Sequence, residues 1–403
     1  SDLMTLTTDA PSASRAGNGA RHFRHLPEST RERLFVAQPS PVSTSWSTDR
    51  LAIALGATLY VPATRPDLAE VITRRHADGV VSMVIDLEDA VADGDQATAI
   101  ESAVDALRRL DSTAAAEMML FVRVRSADQI ATISEAIGSS DSLMGFVLPK
   151  FDAENAHEFL IAVREAGIRA GRHFWAMPVL ESAGIVHRES REHHLSVIAD
   201  AVDEHRSRVL AIRIGATDMC GLFGIRRDRD LTIYDVRVAA DAIASIINRL
   251  GRCDSAGHIV TGPVWEYFAD HERLFKPSLR QTPFQEQGAV WFRSQLVRKD
   301  LDGLLREIAL DRANGMHGKT VIHPTHAAAV HALSAVTHEE YHDALDVLAS
   351  DTGGVQASTY RNKMNESKPH RNWASRVIDR AAVFGVTHPG VGFVDLLTAM
   401  DLS

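Results

Sequence analysis

MPVLESAG (Met177–Gly184) and AIRIGATDMCG (Ala211–Gly221) decide how this chain is read. Each begins as a short apolar run of the kind that forms a buried strand, and each breaks at a carboxylate, Glu181 or Asp218. In a parallel barrel the loops that follow the strands all open on one face. Two carboxylates meeting there make a hard-oxygen site suited to Mg²⁺, an ion that takes one or two protein carboxylates and leaves its other positions to water and substrate.

Working outward, the same alternation of apolar run and helical pattern recurs along the chain. Strands are expected at Thr58–Val61, Val81–Leu87, Met119–Val124, Gly145–Leu148, Phe174–Leu180, Val209–Ile214, His258–Thr261 and Thr320–Ile322. Helical periodicity fills the gaps, at Pro66–Ala77, Gln96–Leu110, Asp128–Ala136, Ala153–Ala166 and Val236–Leu250. Eight strands with helices between them predict an α/β fold, a (β/α)₈ TIM barrel, over residues 21–325. Residues 326–403 read as a C-terminal helical extension, with helices at Pro324–Ala335, Glu339–Ser350 and Asn372–Val383 and a loop at Thr352–His370. One connection, about residues 265–300, is long for a barrel loop and reads either as a lid or as a surface hairpin. Residues 1–20 are small and polar, and read as disordered or appended sequence.

The 403 residues carry a formal charge of −10 and no basic stripe, which speaks against nucleic acid as a partner. No apolar run is long enough to cross a membrane, and residues 1–20 lack the apolar centre of a signal peptide. Two cysteines, Cys220 and Cys253, give no disulfide scaffold and fit a reducing cytosol, so a cytoplasmic location is expected.

Other residues gather around the two carboxylates. Arg65, in YVPATRPD, stands beside a helix start, where free N–H groups and a guanidinium suit an anion; the plainer reading is a surface ion pair. Glu88 and Asp89, with Asp86, follow the second strand and could orient water on a metal, hold an arginine, or cap a helix. In LFVRVRS, a strand period of two puts Arg123 and Arg125 on one side, where two buried cations need an anion: a substrate carboxylate or phosphate, or Asp86, Glu88 or Glu181. Lys150, in VLPKFDAEN, suits a Schiff base or an electrostatic role; beside a metal site the second is preferred. HEEYH (His338–His342) matches a zinc-protease pattern, yet Thr337 to Glu340 reads as a capping box and no third ligand is evident. GMHGKT (Gly315–Thr320) lacks the upstream glycine of a phosphate loop. HRESREHH (His187–His194) reads as a solvated helical face.

In order, YVPATRPD, IDLEDAV, FVRV, LPKFDAE, LESAG, GATD and GKTVIHP resemble the citrate lyase β-subunit family, which includes malyl-CoA and citramalyl-CoA lyases and HpcH/HpaI-type aldolases. The resemblance runs from about residue 58 to 326, with a weaker echo to about 385. It implies a (β/α)₈ barrel, Mg²⁺, and reversible cleavage of a C–C bond beside an activated carbonyl, with coenzyme A as part of the substrate in the acyl-CoA members. By motif, Glu181 and Asp218 fall at the metal ligands, Arg65 and Arg123 at the substrate arginines, and Glu88 and Asp89 in the acidic loop. Lys319, His323 and Pro324 match the segment near the CoA-binding edge. Glu366, in NKMNESKPH, matches an acidic residue that reaches a neighbouring subunit's site, which implies a homo-oligomer, trimer or hexamer, through the C-terminal extension. Three departures mark a divergent branch similar to lyase-like proteins grouped with tellurite-resistance and stress genes: Arg125 where Asn is usual, a seventh strand without its usual acid, and the long insertion. They leave room for a CoA-independent lyase acting on a phosphorylated or 2-oxo acid, or for a barrel that only binds a ligand or protein.

Overall fold

The structure is a computed structural model. It describes residues 15–268, 301–350, 355–360 and 362–401. The eight barrel strands are β1 (Ala57–Pro62), β2 (Ser82–Asp86), β3 (Met119–Arg123), β4 (Leu143–Leu148), β5 (Trp175–Leu180), β6 (Ile212–Ile214), β7 (Val260–Thr261) and β8 (Lys319–Val321). All pair in parallel in the order β7-β6-β5-β4-β3-β2-β1-β8. A parallel bridge between Gly262 and Lys319 closes the ring, with the Gly262 N–H donating to the Gly318 carbonyl at 3.1 Å. The fold is the expected (β/α)₈ barrel, and each strand starts or ends within a few residues of where the apolar runs placed it.

These strands are buried on both faces, so they read as continuous apolar runs rather than as alternation. Alternate residues still serve different layers. Leu59, Val61, Met83, Ile85, Leu120, Val122, Phe146 and Leu148 pack against the surrounding helices. Val84, Phe121, Val147, Met177 and Val179 pack in a second cluster with the N-terminal segment. That segment forms the floor at the end where the strands begin: Phe23, Leu26, Leu34, Leu51 and Ile53 are all buried there. The expected disorder of residues 1–20 is corrected for its described part. Gly17 N–H donates to the Met118 carbonyl at 3.0 Å, and Ala16 and Ala20 are buried. Small residues suit that place because the segment presses against Met119 and Met144. Residues 1–14 lie outside the described residues, as does the insertion from 269 to 300.

Beyond β8, helices Pro324–Ser334, His338–Ala349 and Ser367–Phe384 follow the expected order, with a further helix at Phe393–Asp401. The expected loop at Thr352–His370 is corrected. It holds an antiparallel hairpin, Val355–Ala357 with Met364–Glu366, and the next helix starts at Ser367. Helix Ser367–Phe384 packs on Thr48–Ala54, which leads into β1, through ion pairs Arg50–Asp379 (2.9 Å) and Arg376–Asp49 (2.7 Å). Strand Val386–Thr387 pairs with Phe35–Ala37, so the last helices and the floor are one packed unit.

Candidate active site

At the end of β2 the chain turns through Leu87-Glu88-Asp89, and the Asp86 side chain organises the turn. Its carboxylate accepts from the Glu88 N–H at 3.0 Å and the Ala90 N–H at 3.3 Å. The same carboxylate receives Arg123, the last residue of β3, in a two-point pairing: Nε to Oδ1 at 2.7 Å and Nη2 to Oδ2 at 2.8 Å. A planar guanidinium matched to a carboxylate in this way is held in orientation as well as in place. Arg123 Nη1 then faces Glu88 at 3.3 Å and Asp89 at 3.6 Å, and its guanidinium lies 5.2 Å from the Tyr60 ring centre. Burial works against the charge of Arg123, but Asp86, Tyr60 and Glu88 outweigh it and push its pKa up. Arg123 is therefore a fixed cation at the mouth.

Lys150 supplies the second cation. It follows β4 with φ +47°, a left-handed backbone rarely taken by a non-glycine residue. That turn serves two contacts at once. The Lys150 N–H donates to Glu181 Oε1 at 3.0 Å, and its ammonium donates to Glu88 Oε1 at 2.6 Å. Asp89 and Asp218 lie 3.6 and 3.7 Å from the same ammonium. Burial lowers the Lys150 pKa, yet the Glu88 bond and the neighbouring carboxylates raise it further, so Lys150 is a charged ammonium rather than a free amine. A charged lysine is a poor Schiff-base nucleophile.

Glu181 and Asp218 converge. Glu181 follows β5, with only 4% of its surface exposed, and Asp218 lies in the first turn of helix Ala216–Gly221, just past β6. Their carboxyl groups are hydrogen-bonded to each other. Burial, then the Asp218 bond and charge, push Glu181 up to about 8. Burial and the like charge of Asp218 thus favour the neutral form of Glu181 over its carboxylate. The close approach depends on Gly215. A Cβ there would sit 1.8 Å from Glu181 Oε2, so a side chain at 215 would displace the carboxylate. The donor set and its charge fit Mg²⁺.

The other candidates stand further out. Arg65 is half-exposed and pairs with Asp67 at 3.1 Å, outside the cluster. Arg125 does not share the side of Arg123, because β3 ends at Arg123 and the period of two ends with it. Instead Arg125 pairs with Asp93 and donates to the Val91 carbonyl at 2.6 Å, clamping the loop that carries Glu88. His323 caps helix Pro324–Ser334, and its ring stacks on Phe268 at 4.8 Å. Lys319, expected near the mouth edge, is fully buried and faces the helix at residues 301–313, between Glu307 (2.8 Å) and Asp311 (2.7 Å). Glu366 stands just before helix Ser367–Phe384, its backbone N–H donating to His370 Nδ1 at 3.0 Å. His338 and His342 bond each other at 3.2 Å, and His338 also bonds the Tyr360 hydroxyl. His187 precedes helix Arg188–Glu204, whose Arg188, Glu189, Glu192 and His193 are exposed while Arg191 turns inward and donates to the carbonyls of Ile185 and Val186.

Sequence reasoning missed two residues beneath the cluster. Tyr60 sits under Arg123, and Arg213 is 1% exposed inside the barrel, with Nη2 donating to Thr320 Oγ1 at 2.7 Å. The available signal was an arginine interrupting the apolar run AIRIG.

Comparison with known proteins places the chain. A family model described as C–C bond lyase of the TIM-barrel fold matches residues 49–386. The chain belongs to the C–C bond lyase family. It is a carbon–carbon lyase, as the citrate lyase β-like motifs implied. Among solved structures, this C–C bond lyase resembles a citrate lyase from Burkholderia xenovorans LB400, at 16% identity and TM-score 0.59 over 85% of this chain and 96% of that one. It also resembles the CitE protein from Mycobacterium tuberculosis, solved with magnesium, acetoacetate and coenzyme A, at 22% identity and TM-score 0.49 over 81% and 97% of the two chains. No curated protein matches it. No helix among its described residues is long and apolar enough to cross a membrane.

Proposed function

We propose that this lyase is Mg²⁺-dependent and cleaves a C–C bond in a carboxylate-bearing substrate through an enolate, with Glu181 and Asp218 as the metal ligands. The observation that carries the reading is the convergence of these two carboxyls at the mouth, where Lys150 reaches both, its N–H at 3.0 Å from Glu181 and its ammonium at 3.7 Å from Asp218. When bound, Mg²⁺ would supply Lewis-acid stabilisation of charge growing on the substrate's carbonyl and carboxylate oxygens.

The chain's own residues do the rest. Arg123, aligned by Asp86, presents a fixed positive charge to a substrate oxygen and favours the more anionic transition state over the ground state. Lys150 neutralises Glu88 and Asp89 and lends its charge to the substrate's carboxylate. Glu88, pushed up by burial, is the carboxyl placed to take the hydroxyl proton, since Arg123 and Lys150 hold its two oxygens within the cluster. Glu366 is proposed to act from a second copy of the chain. At the rim, Arg65 and His323 are the groups proposed to meet the more distant end of the substrate.

An acyl-CoA thioester is the substrate form favoured by the rim. Leu222, Phe223, Phe268 and Ile322, on three consecutive loops of the mouth, are exposed apolar residues able to cover a pantetheine arm. The test is Mg²⁺-dependent proton–deuterium exchange into acetyl thioesters and pyruvate. Exchange into a thioester supports the acyl-CoA reading. Exchange into pyruvate alone moves the reading to a CoA-independent 2-oxo acid lyase, and absence of both in the presence of Mg²⁺ sinks the enolate mechanism.

A further inference from the structure

We infer a second metal site on the outer helices, formed by His157, Glu204 and His205 and suited to a zinc-class dication. His157 lies in the first turn of helix Ala156–Ala170, and Glu204 and His205 end the neighbouring helix, Arg188–Glu204. One ligand atom from each falls within 4.8 Å of the other two. His157 Nδ1 is 3.8 Å from Glu204 Oε2, and His205 Nε2 is 4.0 Å from Glu204 Oε1. Ligand atoms sharing one zinc ion at about 2.0–2.2 Å lie roughly 3.3 Å apart, so the side chains close by up to about 1.5 Å to bind.

A second, independent observation points to a ligand. The side chain of His205 is 4% exposed, yet its Nε2 has no hydrogen-bond partner. An imidazole nitrogen buried without a partner is costly, and a metal ion at the Glu204 carboxylate would satisfy it. Burial, together with the charges of Arg164, His157 and Arg208, holds the His205 pKa down against Glu204, so the ring is neutral and its lone pair is available. The arginines also repel a dication, and Glu204 is the carboxylate that offsets them. His157 and Glu204 have side chains 49% and 62% exposed, which leaves them free to adjust. Two imidazoles and one carboxylate favour zinc over Mg²⁺, the reverse of the Glu181–Asp218 donor set. Bound there, the ion would staple two adjacent helices of the outer layer.

The test uses the full chain carrying E181Q and D218N, stripped of metal and titrated with Zn²⁺ against a chromophoric chelator, with Mg²⁺ in millimolar excess. The expected result is one Zn²⁺ equivalent that Mg²⁺ does not displace, weakened at least tenfold by H157A and by E204Q, and lost in H205A. The exposed positions 157 and 204 keep the test readable if H205A fails to fold. Absence of the equivalent, or its persistence in H157A and E204Q, overturns the site. So does its disappearance in H338A/H342A instead, which would assign it to the other histidine pair.

Discussion

Two charged clusters flank this barrel, one at the mouth and one outside β8, and they differ in balance. Outside β8, Lys319 and Arg227 face Glu307 and Asp311, with the half-buried Glu266 3.7 Å from Arg227, so two cations meet three acids, and the Tyr234 hydroxyl donates to Asp311 at 2.7 Å. Lys319, Arg227, Glu307 and Asp311 are nearly or wholly buried, two cations paired with two acids. At the mouth, Asp86, Glu88, Asp89, Glu181 and Asp218 face only Arg123 and Lys150, five acids against two cations. A buried core in which each acid has its cation is a structural tie. One with surplus acid, half open to solvent, is short of a cation. The same residue types therefore carry different meanings, and the tally of charge separates them.

The largest expected effect is at the mouth. Replacing Glu181 with Gln or Asp218 with Asn should abolish Mg²⁺ binding in calorimetry and lower turnover by about 10³-fold or more, since a preorganised charge is lost where the enolate forms. Normal Mg²⁺ affinity in both variants would break the contrast between the clusters. The balanced cluster should respond in stability instead. Lys319→Met leaves Asp311 buried without its cation and Glu307 with Arg227 alone, and should cost about 3–5 kcal/mol in denaturant unfolding. Lys150→Met removes a half-exposed ammonium and should cost under ~1 kcal/mol while impairing turnover. Equal destabilisation by the two would show that both clusters are structural.

Arg123→Lys keeps the charge and loses the two-point pairing with Asp86. Turnover should fall by roughly 10²-fold with little change in Mg²⁺ affinity, because the residue aligns substrate and does not ligate. The pH response sharpens the same point. Glu181 is raised from 4.5 to about 8, so the folded metal-free chain retains a proton that the unfolded chain releases. The stability this contributes is complete below about 4.5 and is lost as pH rises through about 8. The metal-free Tm should fall across that window, E181Q should flatten the fall, and Mg²⁺ should raise Tm most at its alkaline end.

Most of the barrel was legible because a strand buried on both faces announces itself as an apolar run and a helix by its period, as at Gln96–Leu110. Glu181 and Asp218 were legible because each interrupts such a run at its end. Pairings between distant segments were not. Lys319 stands beside a helix twelve and eight residues before it, and nothing local says that Glu307 and Asp311 turn toward it. The hairpin at Val355–Ala357 and Met364–Glu366 was hidden because three-residue strands are too short to show a period. The N-terminal floor was hidden because Ala16, Gly17 and Ala20 are buried for their small size, and in sequence that resembles disorder.

Arg125 is the smallest test and the one that separates position from role. As a second inward arginine it would bind substrate, and its loss would rival that of Arg123. As a clamp on Asp93 and the Val91 carbonyl, it acts only through the loop bearing Glu88 and Asp89. One partner, Asp93, is almost fully exposed, so the pair adds little stability. Arg125→Ala should therefore raise KM about two- to fivefold, leave Mg²⁺ binding unchanged, and lower kcat only as far as Glu88 loosens. A loss near that of Arg123→Lys would mean that the guanidinium leaves Asp93 when substrate arrives, and that the mouth takes a more anionic ligand than its fixed cations imply.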